Sequence, residues 1–418
     1  MTDEITQVEQ DAAVEAELAP LLKLRDPHPV VMDTDEGLAR AAAAIKAGTG
    51  PVAIDAERAS GYRYSNRAYL IQIAREGAGN WLIDPIPMSS MAPLIEALEG
   101  TEWVLHAATQ DLPCLAELGL HPAALFDTEL AGRLLGYPRV GLGTLTEEVL
   151  GWRMLKEHSA ADWSTRPLPE AWLEYAALDV EVLVELRDAL QEELEAAGKW
   201  TWAQQEFDAL RSFQPAVRLE PWRRTSGAHS VRTRRGLAVV KALWEARDDI
   251  AQDRDCTPGR LIPDSAIVAA ALAEPASRGQ LLGTRGFHGR GAKTYVDIWM
   301  SAIDHALTLD ESELPERSPR VSGPPQPRAW ADRDEVAARR LDAARAGISA
   351  MAEANDLPPE NLLQPDAMRR LLWEPPTTRD PGELLDDVVA RLQWSGARPW
   401  QIAMTASLLT DAILSADH

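Results

Sequence analysis

The sequence is short of cysteine, of long apolar runs and of positive charge, and each shortage excludes a class of protein. It holds two cysteines among 418 residues, and the wide separation of Cys114 from Cys256 excludes a disulfide framework and a structural zinc site. No apolar run approaches the roughly 18 residues of a membrane span, and no secretion-signal pattern opens the chain. We therefore expect a cytoplasmic protein with no membrane partner and no disulfide partner.

The shortage of positive charge is uneven along the chain. Lys and Arg number 42 against 65 Asp and Glu, which gives a formal net charge of -23. Residues 1–215 hold 16 basic and 36 acidic side chains, residues 216–320 hold 16 and 14, and residues 321–418 hold 10 and 15. The balances are -20, +2 and -5. Because phosphate contacts need local positive charge, the total argues against a general nucleic-acid coat and leaves one candidate basic surface in the middle third.

Chain length and the positions of proline-rich segments divide the chain into several parts. At roughly 150 residues per domain, the length allows two or three globular units. Five prolines between residues 313 and 327 mark the clearest boundary. The predicted parts are a flexible acidic arm at 1–28, an α/β domain at 29–215, a basic linker at 216–232, a helical domain at 233–312, a Pro-rich linker at 313–328 and a second helical domain at 329–418.

The apolar pattern of the first domain predicts an α/β fold with a mixed sheet. Short apolar runs at 52–55, 68–74 and 81–84 favour three strands before the first long helix, and strands and helices then alternate. Residues 129–213 are expected to be almost entirely helical. Two all-α domains should follow. Both join two helices through a turn that closes with Pro-Asp, and this similarity fits a duplicated module and chance equally well.

Four acids and one phenol stand out in the first domain. Asp55 and Glu57 share one face of a strand, Asp111 lies in a strand-to-helix corner, and Tyr175 and Asp179 share one face of a helix. Each piece alone has an ordinary interpretation, since an Asp-x-Glu pair is commonly a solvated turn and an Asp ahead of a helix is commonly its N-cap. Together they form a carboxylate set of the kind that binds hard divalent cations.

The order of these motifs resembles the DEDD superfamily of 3′-to-5′ exonucleases, in the branch whose third motif carries tyrosine. Residues 156–169 and 174–181 look like the corresponding segments of the ribonuclease D family. Residues 233–310 are similar to the HRDC domain, above all in the run Pro-Gly-Arg-Leu-Ile-Pro-Asp that ends at Asp264. The last unit resembles either an HRDC domain or the second C-terminal helical domain of that architecture. The resemblance implies a ribonuclease H-like fold in the first domain.

The resemblance also implies a mechanism with two divalent ions, Mg²⁺ or Mn²⁺. Phosphodiester cleavage needs an activated water and relief of charge on the leaving oxygen, which two ions roughly 3.5–4 Å apart supply. The implied roles are Asp55 bridging both ions, Glu57 and Asp179 on the ion that holds the attacking water, Asp111 supporting the second ion through water, and Tyr175 orienting the nucleophile. The implied reaction trims RNA with a free 3′ end, with transfer-RNA precursors as substrates, and releases nucleoside 5′-monophosphates.

Two other functions stay open from the residues alone. A DNA-directed exonuclease would carry the same motifs, because sugar recognition depends on groups outside them. A catalytically silent nucleic-acid-binding scaffold would have a broken ligand set, whereas all five motif residues are present. Five basic residues are candidate nucleic-acid contacts in any of these cases: Lys156, Arg166, Arg232, Arg234 and Arg235.

Overall fold

A computed structural model describes residues 19–25, 30–154, 160–317 and 323–417 of the chain. Most of the predicted N-terminal arm and one candidate phosphate contact, Lys156, lie outside these described residues. No helix in the described ranges is both long enough and apolar enough to cross a membrane.

A six-stranded mixed sheet organises the first unit, as the sequence predicted. The strands follow the spatial order β1-β4-β3-β2-β5-β6. Strand β3 runs antiparallel to β2 and β4, whereas the other neighbours pair in parallel. The strands are β1 (Val31–Met32), β2 (Thr49–Arg58), β3 (Ala68–Glu76), β4 (Gly79–Ile83), β5 (Glu102–Leu105) and β6 (Ala124–Asp127).

Among the described residues, eight helices pack around this sheet. They are α1 (Asp35–Ala47), α2 (Ala92–Leu98), α3 (Leu112–Glu117), α4 (Thr128–Leu135), α5 (Leu142–Leu145), α6 (Glu170–Glu181), α7 (Leu183–Ala196) and α8 (Trp200–Leu210). Helix α1 corrects the expectation that three strands precede the first long helix. It buries Leu38, Ala41 and Ile45 on one face and is capped by Thr34, whose hydroxyl accepts a hydrogen bond from the Gly37 amide at 3.1 Å.

The stretch that was expected to be almost entirely helical is interrupted. After α5 and one turn of π-helix at Thr146–Leu150, the described residues 151–154 and 160–169 are not helical. Prolines at 167 and 169 explain the late start of α6, since proline disfavours helix at the preceding residue and suits the first positions of a new one. The irregular segment passes close to the sheet and buries Trp163 against it.

The middle unit is a compact helical domain with its own apolar core. Its helices are α9 (Arg234–Arg254), α10 (Asp264–Ala273), α11 (Arg278–Gly283), α12 (Arg290–Thr294) and α13 (Val296–Thr308). Trp222, Ala228 and Val231 are buried in this core, ahead of α9. The structure therefore places residues from about 221 onward inside the helical unit, where the sequence predicted a linker as far as residue 232.

The last unit is also helical, and its apolar core continues into the first unit. Its helices are α14 (Trp330–Arg333), α15 (Glu335–Ala354), α16 (Pro359–Leu362), α17 (Pro365–Trp373), α18 (Pro381–Trp394) and α19 (Pro399–Ala416). One buried cluster includes Phe126 and Phe207 from the first unit together with Trp330 and Ile413 from the last. Trp400 stacks on Trp202 of α8, with ring centroids 4.8 Å apart.

Candidate active site

Strand β2 presents two of the predicted carboxylates at its carboxyl end. Asp55 and Glu57 are two residues apart, so the alternation of the strand places them on one face. Antiparallel pairing with β3 sets Gln72 opposite Asp55, and the side-chain nitrogen of Gln72 lies 3.5 Å from Asp55 Oδ2. The sheet thus fixes the positions of both acids before any helix contributes to the site.

Helix α6 brings the third acid and the phenol to the same place. One carboxylate oxygen from each of Asp55, Glu57 and Asp179 lies within 4.8 Å of the other two. Tyr175 precedes Asp179 by one helical turn, and its hydroxyl donates a hydrogen bond to the Asp179 carboxylate. Residues separated by more than a hundred positions therefore converge on one small volume.

Asp111 is adjacent to this group and has a different partner. It is almost fully buried where β5 leads into α3, and its Oδ1 lies 3.3 Å from a terminal nitrogen of Arg58. Although Asp111 occupies the N-cap position of α3, its side chain makes no capping hydrogen bond. Simple capping therefore does not account for this residue, which faces Arg58 and the carboxylates of β2.

The electrostatics of the site show a deficit of positive charge. Burial and then repulsion from Asp55 and Asp179 raise the pKa of Glu57 to about 10. Burial is also the main cause that raises the pKa values of Asp55, Asp111 and Asp179 above the usual range of a carboxyl group. Without a cation, the protein alone does not hold this cluster in its fully ionised form.

The residues present fit a hard divalent cation. The donors are carboxylate oxygens, which Mg²⁺ and Mn²⁺ prefer, and three of them already lie within reach of one ion. Gln72 Oε1 is buried beside Asp55 without a hydrogen-bond partner among the described residues. A bound cation would supply the positive charge that the raised pKa values show to be missing.

Comparison with known proteins agrees with this geometry. Residues 29–195 match the 3′-5′ exonuclease family, residues 236–303 the HRDC domain, and residues 323–413 the 3′ to 5′ exonuclease C-terminal domain. Ribonuclease D of Zymomonas mobilis is 33% identical over 304 residues, which cover 70% of this chain and 76% of that protein. Ribonuclease D of Gluconacetobacter diazotrophicus is 31% identical, with 84% and 87% covered. The chain belongs to the ribonuclease D family.

A solved structure supports the arrangement of all three units. A crystal structure of a protein from Bifidobacterium adolescentis is 36% identical and superposes with a TM-score of 0.85 over 94% of this chain and 99% of that one. The present member of the ribonuclease D family is accordingly a 3′-5′ exoribonuclease, a phosphodiester hydrolase. Its last unit matches the exonuclease C-terminal domain, which favours that alternative over a second HRDC domain.

Arg166 has intramolecular partners in this ribonuclease D homologue. Its Nε lies 2.5 Å from Asp84 Oδ2, and its terminal nitrogens donate to the backbone carbonyls of Tyr69, Trp163 and Thr165. The guanidinium thereby ties the irregular segment before α6 to the sheet. These contacts argue against the predicted phosphate contact, because the donors already have acceptors.

Arg234 and Arg235 are occupied in a similar way. Arg234 donates to the carbonyls of Glu311 and Leu314 at 3.0 and 2.6 Å, and Arg235 donates to the carbonyl of Leu309 and to the Glu311 carboxylate. Both guanidinium groups therefore fasten the end of the middle unit to the start of α9. These contacts argue against Arg234 and Arg235 as phosphate contacts. Of the three arginines predicted in this run, only Arg232 is exposed.

Sequence reasoning missed two neighbours of the acids in this ribonuclease D homologue. Arg58 follows Glu57 directly, and a simple strand would point it to the opposite face, but the pairing register with β3 shifts between these two residues. Gln72 lies in the apolar run of β3, and only strand pairing shows that it faces Asp55. The register shift has no signal in the sequence.

Proposed function

We propose that this enzyme trims the 3′ ends of RNA, transfer-RNA precursors among them, with two divalent ions, Mg²⁺ or Mn²⁺, and releases nucleoside 5′-monophosphates. The convergence of Asp55, Glu57 and Asp179 within 4.8 Å carries the proposal, because three half-buried acids at one point repel one another unless a cation lies between them. Membership of the ribonuclease D family supports RNA as the substrate.

In this proposal the four acids hold the cations, and the other groups act on substrate and water. When bound, the ions activate the attacking water and stabilise charge on the leaving oxygen. Asp55 is central in the set, since Gln72 holds its carboxylate from the β3 side. Tyr175 orients the water through the hydroxyl that also contacts Asp179. Arg58 holds the Asp111 carboxylate in place through an ion pair and offsets part of the negative charge of the four acids.

The test is to remove the charge of one acid without changing its shape. Asp179→Asn should lower exonuclease turnover on single-stranded RNA by at least ~10²-fold and weaken Mn²⁺ binding, because one hard anionic ligand is lost. Mononucleotide release and metal titration measure the two effects. Asp188→Asn, an exposed acid on the next helix, is the matched control and should retain both. Full activity of folded Asp179→Asn protein would refute the assignment.

The sugar preference needs a separate experiment. In this proposal the motif residues contact only phosphate and metal, so they do not distinguish RNA from DNA. Competition between matched single-stranded RNA and DNA, followed by mononucleotide release, should favour RNA. Equal or faster release from DNA would replace the proposal with a DNA-directed exonuclease, and binding of RNA without release in Mg²⁺ or Mn²⁺ would replace it with a silent scaffold.

A further inference from the structure

A loop between β2 and β3, residues 59–67, lies at the boundary between the first and middle units. The hydroxyl of Tyr64 donates to Asp248 Oδ2 at 3.0 Å, and the amide of Ser65 donates to Asp255 Oδ1 at 3.0 Å. Both acceptors belong to α9 and its C-terminal cap. The loop that leaves the catalytic strand is therefore held directly against the HRDC domain.

One aromatic ring of this loop connects the boundary with the active site. Tyr62 packs against the same small apolar cluster as Tyr175, around buried Trp163. Its hydroxyl donates to the carbonyl of Ala160 at 3.4 Å, in the segment that leads to α6. On the other side, the guanidinium carbon of Arg260 from the middle unit lies 5.0 Å from the ring centroid. The Tyr62 ring thus contacts both the first and the middle unit.

Three arginines at this boundary, Arg63, Arg67 and Arg260, are exposed and lack a carboxylate partner within the part of the chain that the structure describes, and Arg67 donates within the loop to the hydroxyl of Ser65. Arg63 donates from Nε to the hydroxyl of Ser164 at 2.8 Å, and Arg260 contacts the Tyr62 ring. By contrast, Arg234 and Arg247 of the middle unit are committed to backbone carbonyls and acids. In a chain of net charge -23, these exposed guanidinium groups place positive charge next to the apolar cluster that also contacts Tyr175.

We propose that Tyr62, Arg63 and Arg260 form a subsite for the single-stranded RNA that lies upstream of the scissile phosphate. The two guanidinium groups would bind successive phosphates, and the Arg260 plane, backed by the Tyr62 ring, would stack on a base with its outer face. This inference rests on the proposed function and names where that substrate is held. It replaces the basic run at Arg232–Arg235 as the main handle for RNA.

The distance along the chain fits such a subsite. Tyr62 follows Glu57 by five positions, and an extended chain of that length spans at most roughly 18 Å. A stacked strand rises about 3.4 Å per nucleotide, so the subsite serves positions up to about five nucleotides from the 3′ end. The only internucleotide phosphate of a dinucleotide is the scissile one, so a dinucleotide has none to offer to two further guanidinium groups, whereas a longer strand fills the active site and the subsite together.

The experiment compares RNA binding of the parent with the double variant Arg63→Ala, Arg260→Ala. The probe is a labelled oligoadenylate of about twelve nucleotides, in EDTA so that no cleavage occurs, between about 50 and 200 mM salt. We expect the double variant to bind on the order of tenfold more weakly at low salt. The slope of log affinity against log salt should fall by about 1.4, since each lost phosphate contact with a single strand contributes about 0.7.

Two further variants separate binding from structure. Arg278→Ala removes an exposed arginine of the same unit, paired with Asp297, and should leave the slope unchanged. Arg260→Lys keeps the cation and should preserve the slope while weakening the stacking part of the affinity. If the double variant lowers the thermal midpoint strongly, Arg63→Ala alone carries the test, because it leaves the contact between Arg260 and Tyr62 in place.

The outcomes distinguish the subsite from the proposed function. An unchanged salt slope in the double variant, or a change equal to that of Arg278→Ala, would overturn the subsite. In a cleavage assay, the double variant should lose about tenfold of the kcat/KM preference for the long strand over a dinucleotide. Loss of binding in the variants, with no mononucleotide release by the parent in Mg²⁺, would keep the subsite and reject the exonuclease proposal.

Discussion

Tyr175 adds a single polar atom to the site, and this makes its role separable from metal binding. Tyr175→Phe keeps the ring packed and removes only the hydroxyl that contacts Asp179. We expect turnover at saturating Mg²⁺ to fall on the order of 10²-fold, because the nucleophile is no longer oriented, while Mn²⁺ affinity stays close to that of the parent. Single-turnover cleavage and metal titration measure these effects.

A matched substitution controls for the loss of a phenol as such. Tyr137→Phe removes a hydroxyl that donates to Glu193 at 2.8 Å, away from the acids. Its turnover should equal that of the parent. Parent-like turnover of Tyr175→Phe would show that the phenol does not position the water, and strongly weakened metal binding would show that it supports a ligand instead.

The residues of the site were predictable to different degrees. The alternation of a strand predicted the common face of Asp55 and Glu57, and helical spacing predicted that of Tyr175 and Asp179. Their convergence is a tertiary property, which the resemblance suggested and the structure shows. Arg58 was not predictable, because the register shift that turns it toward Asp111 depends on pairing with β3.

At the scale of elements, the end of α4 packs so closely against the last unit that the residue at this position has to be glycine. Gly136 has φ of +85°, and a Cβ added there would lie 2.6 Å from the carbonyl oxygen of Asp356 in the last unit. Gly136→Ala should therefore lower the free energy of unfolding by about 2–4 kcal/mol, from left-handed strain together with overpacking. Denaturant titration of the whole chain provides the measurement.

Gly198 provides the control for strain without the contact. It has φ of +69°, and an added Cβ would meet nothing within 4 Å. Gly198→Ala should cost only about 1–2 kcal/mol, the penalty for the left-handed conformation. Equal costs for the two variants would mean that the close approach between α4 and the last unit adds nothing to stability.

Several elements could be placed from the sequence, and the exceptions have physical causes. The strands β2 to β6 follow apolar runs that periodicity identifies. Helix α1 had signals in the sequence, namely the N-cap Thr34 and the helical spacing of Leu38, Ala41 and Ile45 on one face. The arginines around Trp222 favour a linker, whereas burial of the indole in the middle unit decides the structure of this segment.

At the scale of the whole molecule, metal and pH should affect stability together. A carboxyl group whose pKa is raised in the folded state contributes stability that is present below its unfolded value and lost as pH rises through the folded value. With the pKa of Glu57 at about 10, metal-free protein should be destabilised as pH rises from about 5 to 8. A bound cation favours the ionised form, so Mg²⁺ should stabilise the protein more at pH 8 than at pH 5.

Thermal midpoints in EDTA and in Mg²⁺ across this pH range measure the effect. Glu57→Gln isolates it, because the variant has no charge to bury. The midpoint of the parent minus that of Glu57→Gln in EDTA should decrease as pH rises. A difference that stays constant or grows with pH would mean that the pKa of Glu57 is not raised in the metal-free protein.

The order of the three units along the chain was readable from composition and motifs, but their packing was not. A proline-rich segment separates the middle and last units. No sequence pattern predicts that residues near 130 contact residues near 410. The shared cluster that contains Phe126 and Ile413 forms only through tertiary contact. Sequence patterns report on local periodicity, whereas this contact depends on which helix faces are left uncovered.

The shared core has a consequence for the order of events during synthesis. Phe207 emerges from the ribosome about 200 residues before Ile413, so at roughly 5–20 residues per second the first unit waits on the order of 10–40 s for its partner surface. Over that interval the apolar faces of α4, α7 and α8 are bare, while the middle unit can complete its own core. The nascent chain is thus most vulnerable to aggregation through a surface that the finished enzyme conceals.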